Sequence, residues 1–145
     1  MKKSNMSRKA GFTLVELMVV AIIVALLAAV AIPLMSANRK RAASTEGEAG
    51  LGTIRTALRA VYAERGVYNQ NLNGGTIAAG SAVAGIVPGI QTNDLNGTYF
   101  RDTHYSIPTL TEQTYVLRVT GSTNKNVTGV TIELDQDGKF TYQGL

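Results

Sequence analysis

FTLVELMVVAIIVALLAAVAIPLM, residues 12–35, holds a single ionisable side chain, Glu16, in an almost wholly apolar run. As an α-helix rising ~1.5 Å per residue it is about 36 Å long, enough to cross a hydrocarbon core of ~30 Å. The chain changes character on either side of it. Upstream, residues 1–11 (MKKSNMSRKAG) are short, basic and polar. Downstream the helical pattern continues: Leu51, Ile54, Leu58 and Val61 recur on one face, with Arg55, Arg59, Glu64 and Arg65 at the other positions. Gly66 fits the residue that closes a helix. Together these predict one helix of roughly 50 residues, kinked at Pro33 because proline lacks an amide hydrogen. Gly47, Gly50 and Gly52 are expected to soften it just before the stripe.

The net charge of +4 comes from 14 basic and 10 acidic residues, but Lys2, Lys3, Arg8 and Lys9 all lie in the first eleven positions. Without them the chain is balanced, so the basic character belongs to the leader and does not describe a nucleic-acid-binding surface. The chain has no Cys, which excludes disulfides, thiolate metal sites and Cys nucleophiles.

Residues 67–98 are rich in Gly, Ala and Asn and follow neither period; they predict a long surface loop, with a short strand or turn of helix around Ala82 to Val87. Strands follow, at Tyr99 to Ile107, Tyr115 to Val119, Val127 to Leu134 and Lys139 to Tyr142. Gly121 to Asn126 and Asp135-Gln-Asp-Gly138 supply turns between them. The expected fold class is α+β: a long N-terminal helix, half membrane-spanning and half amphipathic, whose stripe covers one face of a small antiparallel sheet.

Glu16 is the residue that asks for an explanation. An acidic side chain at the centre of a membrane helix costs ~2.5–3.5 kcal/mol, less near the end, and usually has a partner. No Lys, Arg or His lies between Phe12 and Asn38 to provide one. Cleavage before Phe12 would create an amino group at i, i+4 spacing from Glu16, and a neighbouring helix displaced along its axis could supply the same amine in trans. The partial positive charge of the helix N-terminus favours Glu16 as well. Such a pair sets alignment more than it adds stability.

The run Gly11-Phe12-Thr13-Leu14-Val15-Glu16, the short basic leader, the apolar helix and Ala31-Ile32-Pro33 resemble the signal of type IV pilins and type II secretion pseudopilins. The detailed resemblance covers residues 8–40; the helix, loop and sheet beyond are similar to the family's head only in general layout. The resemblance implies that Gly11 precedes a prepilin peptidase cut and that Phe12 becomes an N-methylated terminus. It implies that Glu16 pairs with the Phe12 amine of an adjacent subunit, that Pro33 marks helix able to unwind in filaments, and that the sheet faces outward. The implied segments are 1–11, a cleaved leader; 12–35, a transmembrane and filament-core helix; 36–66, its amphipathic half; 67–98, a variable loop; and 99–145, a sheet head. The implied function is a structural subunit of a pilus-like surface filament, with the major pseudopilin of a secretion system as the alternative. Its partners would be copies of itself, the prepilin peptidase and methyltransferase, the inner-membrane assembly machinery, and the membrane before assembly. The N-terminus would be cytoplasmic before assembly, and the filament periplasmic or extracellular after it.

The chain also departs from the family. It lacks the C-terminal disulfide loop of many major pilins, and Met35 to Ala60 has none of the aromatics of pilins argued to conduct electrons. Asp135-Gln136-Asp137-Gly138 has residue types suited to calcium, yet reads as a hairpin turn with too few oxygen ligands. No cofactor, metal or catalytic residue is expected: His104, the sole His, reads as a cross-strand surface position, and no phosphate-binding loop is present. For nucleic acid, a weaker alternative, an assembled fibre could draw on Arg39-Lys40-Arg41 and Lys125; the plainer reading of the first cluster is anchoring to lipid headgroups before polymerisation. Two other readings of the N-terminus stay open. One is a plain anchor for a small domain, which gives Glu16 no role. The other is an ordinary secretory signal cut after Ala29-Val30-Ala31. Either would make the protein an anchored or secreted binding domain.

Overall fold

The computed structural model describes residues 11–125 and 127–145. The leader's cations lie outside the described residues, as does Asn126 in the expected turn. The helix α1 runs from Leu14 to Arg65, passing Pro33 without interruption. A 3-10 turn, Asp102–His104, leads into β1 (Tyr105–Leu110), followed by β2 (Tyr115–Thr120), β3 (Thr131–Asp135) and β4 (Phe140–Gln143). The strands form one antiparallel sheet in the order β1-β2-β3-β4. The fold is therefore α+β and pilin-like, a long helix with a four-stranded meander.

By contacts the chain divides into two units, Met1–Met35 and Ser36–Leu145. In the first, no described side chain is buried, and α1 is long and apolar enough to cross a membrane, its most apolar 18-residue stretch having a mean hydropathy of 3.0. The second unit is the head, and it has a conventional core. From α1 it takes Ala43, Gly47, Leu51, Ile54, Leu58 and Val61, all buried. The spacing of these residues is that of a single helical face, which is why the stripe could be read from sequence. From the sheet it takes Tyr105 and Ile107, Tyr115, Leu117 and Val119, then Ile132 and Leu134, the alternate residues of each strand. Register places these opposite one another: Tyr105 faces Val119, Val119 faces Ile132, and Leu117 faces Leu134. The sheet's inner face is thus continuous across three strands. Pro108 sits where β1 shifts register between Ser106 and Thr109, on an edge strand that can spare one amide donor.

Gly47 and Gly50 do something other than soften the helix. A Cβ at Gly47 would lie 2.8 Å from Ile132 Cδ1 and 3.0 Å from Val119 Cγ1. At Gly50 it would collide with the Tyr105 ring. These two glycines let the helix backbone come down onto the sheet. Gly52, with nothing within 4 Å, has no such role. Gly66, at φ 74°, donates its amide to the Tyr62 carbonyl at 2.8 Å and closes α1 as expected.

Four expectations change. Residues 67–98 are not merely a surface loop, since Ile77, Val83, Val87, Ile90 and Leu95 are buried, most of them in the head's core. Their anchors carry no period because the backbone between them turns repeatedly, with one helical turn where the Val87 amide bonds the Val83 carbonyl at 3.0 Å. The expected strand at Tyr99 starts only at Tyr105. The amides of Thr98, Tyr99 and Phe100 are taken instead by the carboxylate of Glu46 on α1, at 2.8–2.9 Å. His104 is not cross-strand; it ends the 3-10 turn, its Nδ1 accepting the Arg101 amide at 2.8 Å. The strand expected from Val127 likewise begins at Thr131, after a turn in which Gly129 has φ 83°.

Glu46 fastens a segment without regular structure to the helix, as one carboxylate serving three backbone donors. A Cβ at Gly97 would collide with that carboxylate, so glycine is what lets the loop close over it. Glu46→Ala strands three amides at once and is expected to destabilise the head by about 3 kcal/mol. All six tyrosines lie in the head and the chain has no Trp. Urea unfolding of the full chain in detergent, followed by tyrosine fluorescence, therefore reads the head alone. A midpoint unchanged from the parent's would show that the clamp contributes nothing.

Between β3 and β4, the Lys139 amide donates to Asp135 Oδ1 at 2.9 Å and Gly138 has φ 89°. These are the features of a side-chain-closed turn. The C-terminus is held by Lys40, whose Nζ donates to the Gly144 carbonyl at 2.6 Å.

Candidate processing and assembly site at the helix N-terminus

Gly11, Phe12 and Thr13 precede the first turn of α1 in irregular backbone. Among the described residues, Gly11 has open space where a side chain would stand, and Phe12 is 84% exposed. The Gly11–Phe12 peptide is thus reachable from solvent. The residues after it are locked. Thr13 Oγ1 accepts the Glu16 amide at 3.2 Å, and the Thr13 amide donates back to Glu16 Oε2 at 2.8 Å. The Thr13 hydroxyl adds a third bond to the same oxygen at 2.9 Å. This is a reciprocal capping box: a threonine at the N-cap and a glutamate three residues on each satisfy an amide that the helix leaves without a partner.

The sequence carries this signal in full as Thr13-Leu-Val-Glu16, a T-x-x-E before an apolar run. The box changes what the carboxylate can do. Oε2 is committed to Thr13, while Oε1 accepts no hydrogen bond among the described residues. Glu16 therefore starts its own helix with one oxygen and presents the other.

Along the helix beyond, the large side chains are bare. Leu14, Val20, Leu26 and Val30 are each exposed by more than half, and Ala28 is the most sheltered position in the run. An apolar surface this long has to be covered by lipid or by other helices. The structure leaves Gly11, Phe12 and Glu16 close together in sequence at the exposed start of α1, with Pro33 well along the same helix.

The family model for the prokaryotic N-terminal methylation motif matches residues 6–32, the span holding Gly11, Phe12 and the capping box. The match is confined to this N-terminal span. The chain is similar over a longer stretch to the type IV major pilin protein PilA of Myxococcus xanthus, 36% identical over 66 residues. That stretch is 46% of this chain and spans 30% of the Myxococcus pilin's length. No solved structure matches the chain. The apolar helix and the prepilin motif fit a pilin that is anchored in a membrane and then built into a filament.

Proposed function

We propose that this chain is the structural subunit of a type IV pilus-like filament, held in the inner membrane as a precursor and polymerised through residues 12–35. The observation that carries the reading is the bare apolar helix opened by the Thr13–Glu16 box immediately after an exposed Gly11–Phe12 peptide. The major-pilin name of the Myxococcus relative supports a pilus over a secretion pseudopilus.

The mechanism follows from charge and surface. The leader stays in the cytoplasm and the head lies outside. Prepilin peptidase cuts at Gly11–Phe12, and the new Phe12 amine is methylated. Removing the leader deletes four cations and creates one at the helix start. The free oxygen of Glu16 then accepts the Phe12 ammonium of a neighbouring subunit as the helix leaves lipid. In the low-dielectric fibre core a misaligned subunit would leave both charges unpaired, so the pair sets the axial step. Ala25, Ala28, Ala29 and Ala31 let helices approach closely. Pro33, already short of one helical bond, is where α1 opens most readily during packing. In this reading the chain itself catalyses nothing. Assembly is driven by the inner-membrane machinery.

The test is the intact mass and N-terminal sequence of the protein recovered from cells. An N-methylated Phe12 terminus is expected; a terminus at Ile32 would mean an ordinary secreted domain. Gly11→Val is expected to slow processing on the order of 100-fold, the scale of a misplaced scissile bond. Since a Cβ at Gly11 meets nothing among the described residues, accumulated precursor would report the peptidase's requirement and not misfolding. Normal processing of Gly11→Val would remove the assigned cut.

A further inference from the structure

We propose that the head carries a binding pocket for a phosphate group, free or esterified, between the 3-10 turn that precedes β1 and the β2–β3 connection. The cavity has a volume of about 210 Å³ and is lined by Tyr99, Arg101, Thr103, His104, Ser122 and Lys125. That space accommodates a tetrahedral oxyanion and leaves room for a substituent.

The wall chemistry selects charge and shape. It holds a guanidinium, an ammonium, an imidazole and hydroxyl groups, and no carboxylate lines it. Asp102, adjacent in sequence, has its oxygens turned onto the Asn93 and Leu95 amides and does not line the cavity. Neither Arg101 nor Lys125 is in an ion pair among the described residues, where the pair is Arg118 with Glu133. His104 is fixed in a useful tautomer. Its Nδ1 accepts the Arg101 amide at 2.8 Å, so the neutral ring carries its proton on Nε2 as a donor. The ring is further held edge-on to Phe100, with centroids 6.2 Å apart. Two cations and a fixed imidazole donor around a small cavity suit an acceptor with several oxygens and at least one negative charge. This site is separate from the N-terminal one and does not depend on filament assembly.

His104 is the sole histidine, so its imidazole NMR signals in the detergent-solubilised full chain are unambiguous. Inorganic phosphate and glycerol 3-phosphate are titrated separately at constant ionic strength set with chloride. A saturating shift with Kd of about 1 mM is expected. Arg101→Ala and Lys125→Ala are each expected to weaken it about tenfold, the effect of one charge-assisted bond. Arg101→Ala retains the amide that holds His104, and Lys139→Ala, at the β3–β4 turn, serves as the unchanged control. Saturation by both ligands supports a pocket open to esters, while saturation by the inorganic ion alone supports one closed around the free ion. A shift that never saturates, or one that survives both replacements, overturns the proposal.

Discussion

Cells carrying Glu16→Gln are expected to process the precursor normally and yet to assemble fewer than about one-hundredth of the parent's filaments, as judged by sheared surface protein and electron microscopy. The choice of Gln separates two roles that Ala would confound. Gln retains an oxygen for the Thr13 amide, and S/T-x-x-Q closes a capping box as S/T-x-x-E does. The helix start is therefore preserved. Only the charge that would hold the ammonium of a neighbouring Phe12 is lost, and an uncompensated buried ammonium costs several kcal/mol. Glu16→Ala removes both roles and is expected to assemble no better. Thr13→Ala provides the converse case. It costs the cap ~1 kcal/mol but leaves the carboxylate charged, so filaments should persist at reduced yield. Wild-type fibre levels from Glu16→Gln would sink the registry argument and leave Glu16 as a helix cap alone.

Gly50→Val is expected to destabilise the head by about 3 kcal/mol or more, as overpacking of a filled core does. The Tyr105 ring lies directly over the Gly50 backbone. It is 3% exposed, its centroid is 6.1 Å from that of Phe100, and burial, with Glu46 and Asp102 nearby, pushes its pKa up to about 12. The hydroxyl therefore stays neutral. Gly52→Ala is the matched control two residues on. It meets nothing, and in a helix it should stabilise by up to ~1 kcal/mol. Urea midpoints followed by tyrosine fluorescence check both variants. Equal effects at Gly50 and Gly52 would mean that helix propensity, not contact with Tyr105, governs this turn of α1.

Much of the fold was legible because periodicity reports burial wherever structure is regular. Leu51, Ile54, Leu58 and Val61 declared a helical face, and Tyr115, Leu117 and Val119 a strand, since each side chain's direction is fixed by its own backbone. Legibility failed where the backbone is irregular. Val83, Val87 and Leu95 enter the core from turns whose spacing encodes nothing. Tyr99 and Phe100 alternate like a strand but give their amides to Glu46, some fifty residues earlier in the chain, a pairing that local pattern cannot contain.

The sequence by itself determined the start of this protein's long helix. The apolar run of α1 up to Met35 and the Thr13–Glu16 box rest on interactions within a few residues of each other, so their physics is local. Only the tertiary structure decided why Gly47 and Gly50 are glycines, what Glu46 holds, and that Arg101, His104 and Lys125 share a cavity. Each of these depends on which surfaces meet when the sheet closes on the helix. Such long-range meetings are set by the packing of the whole core, and a one-dimensional pattern does not record them.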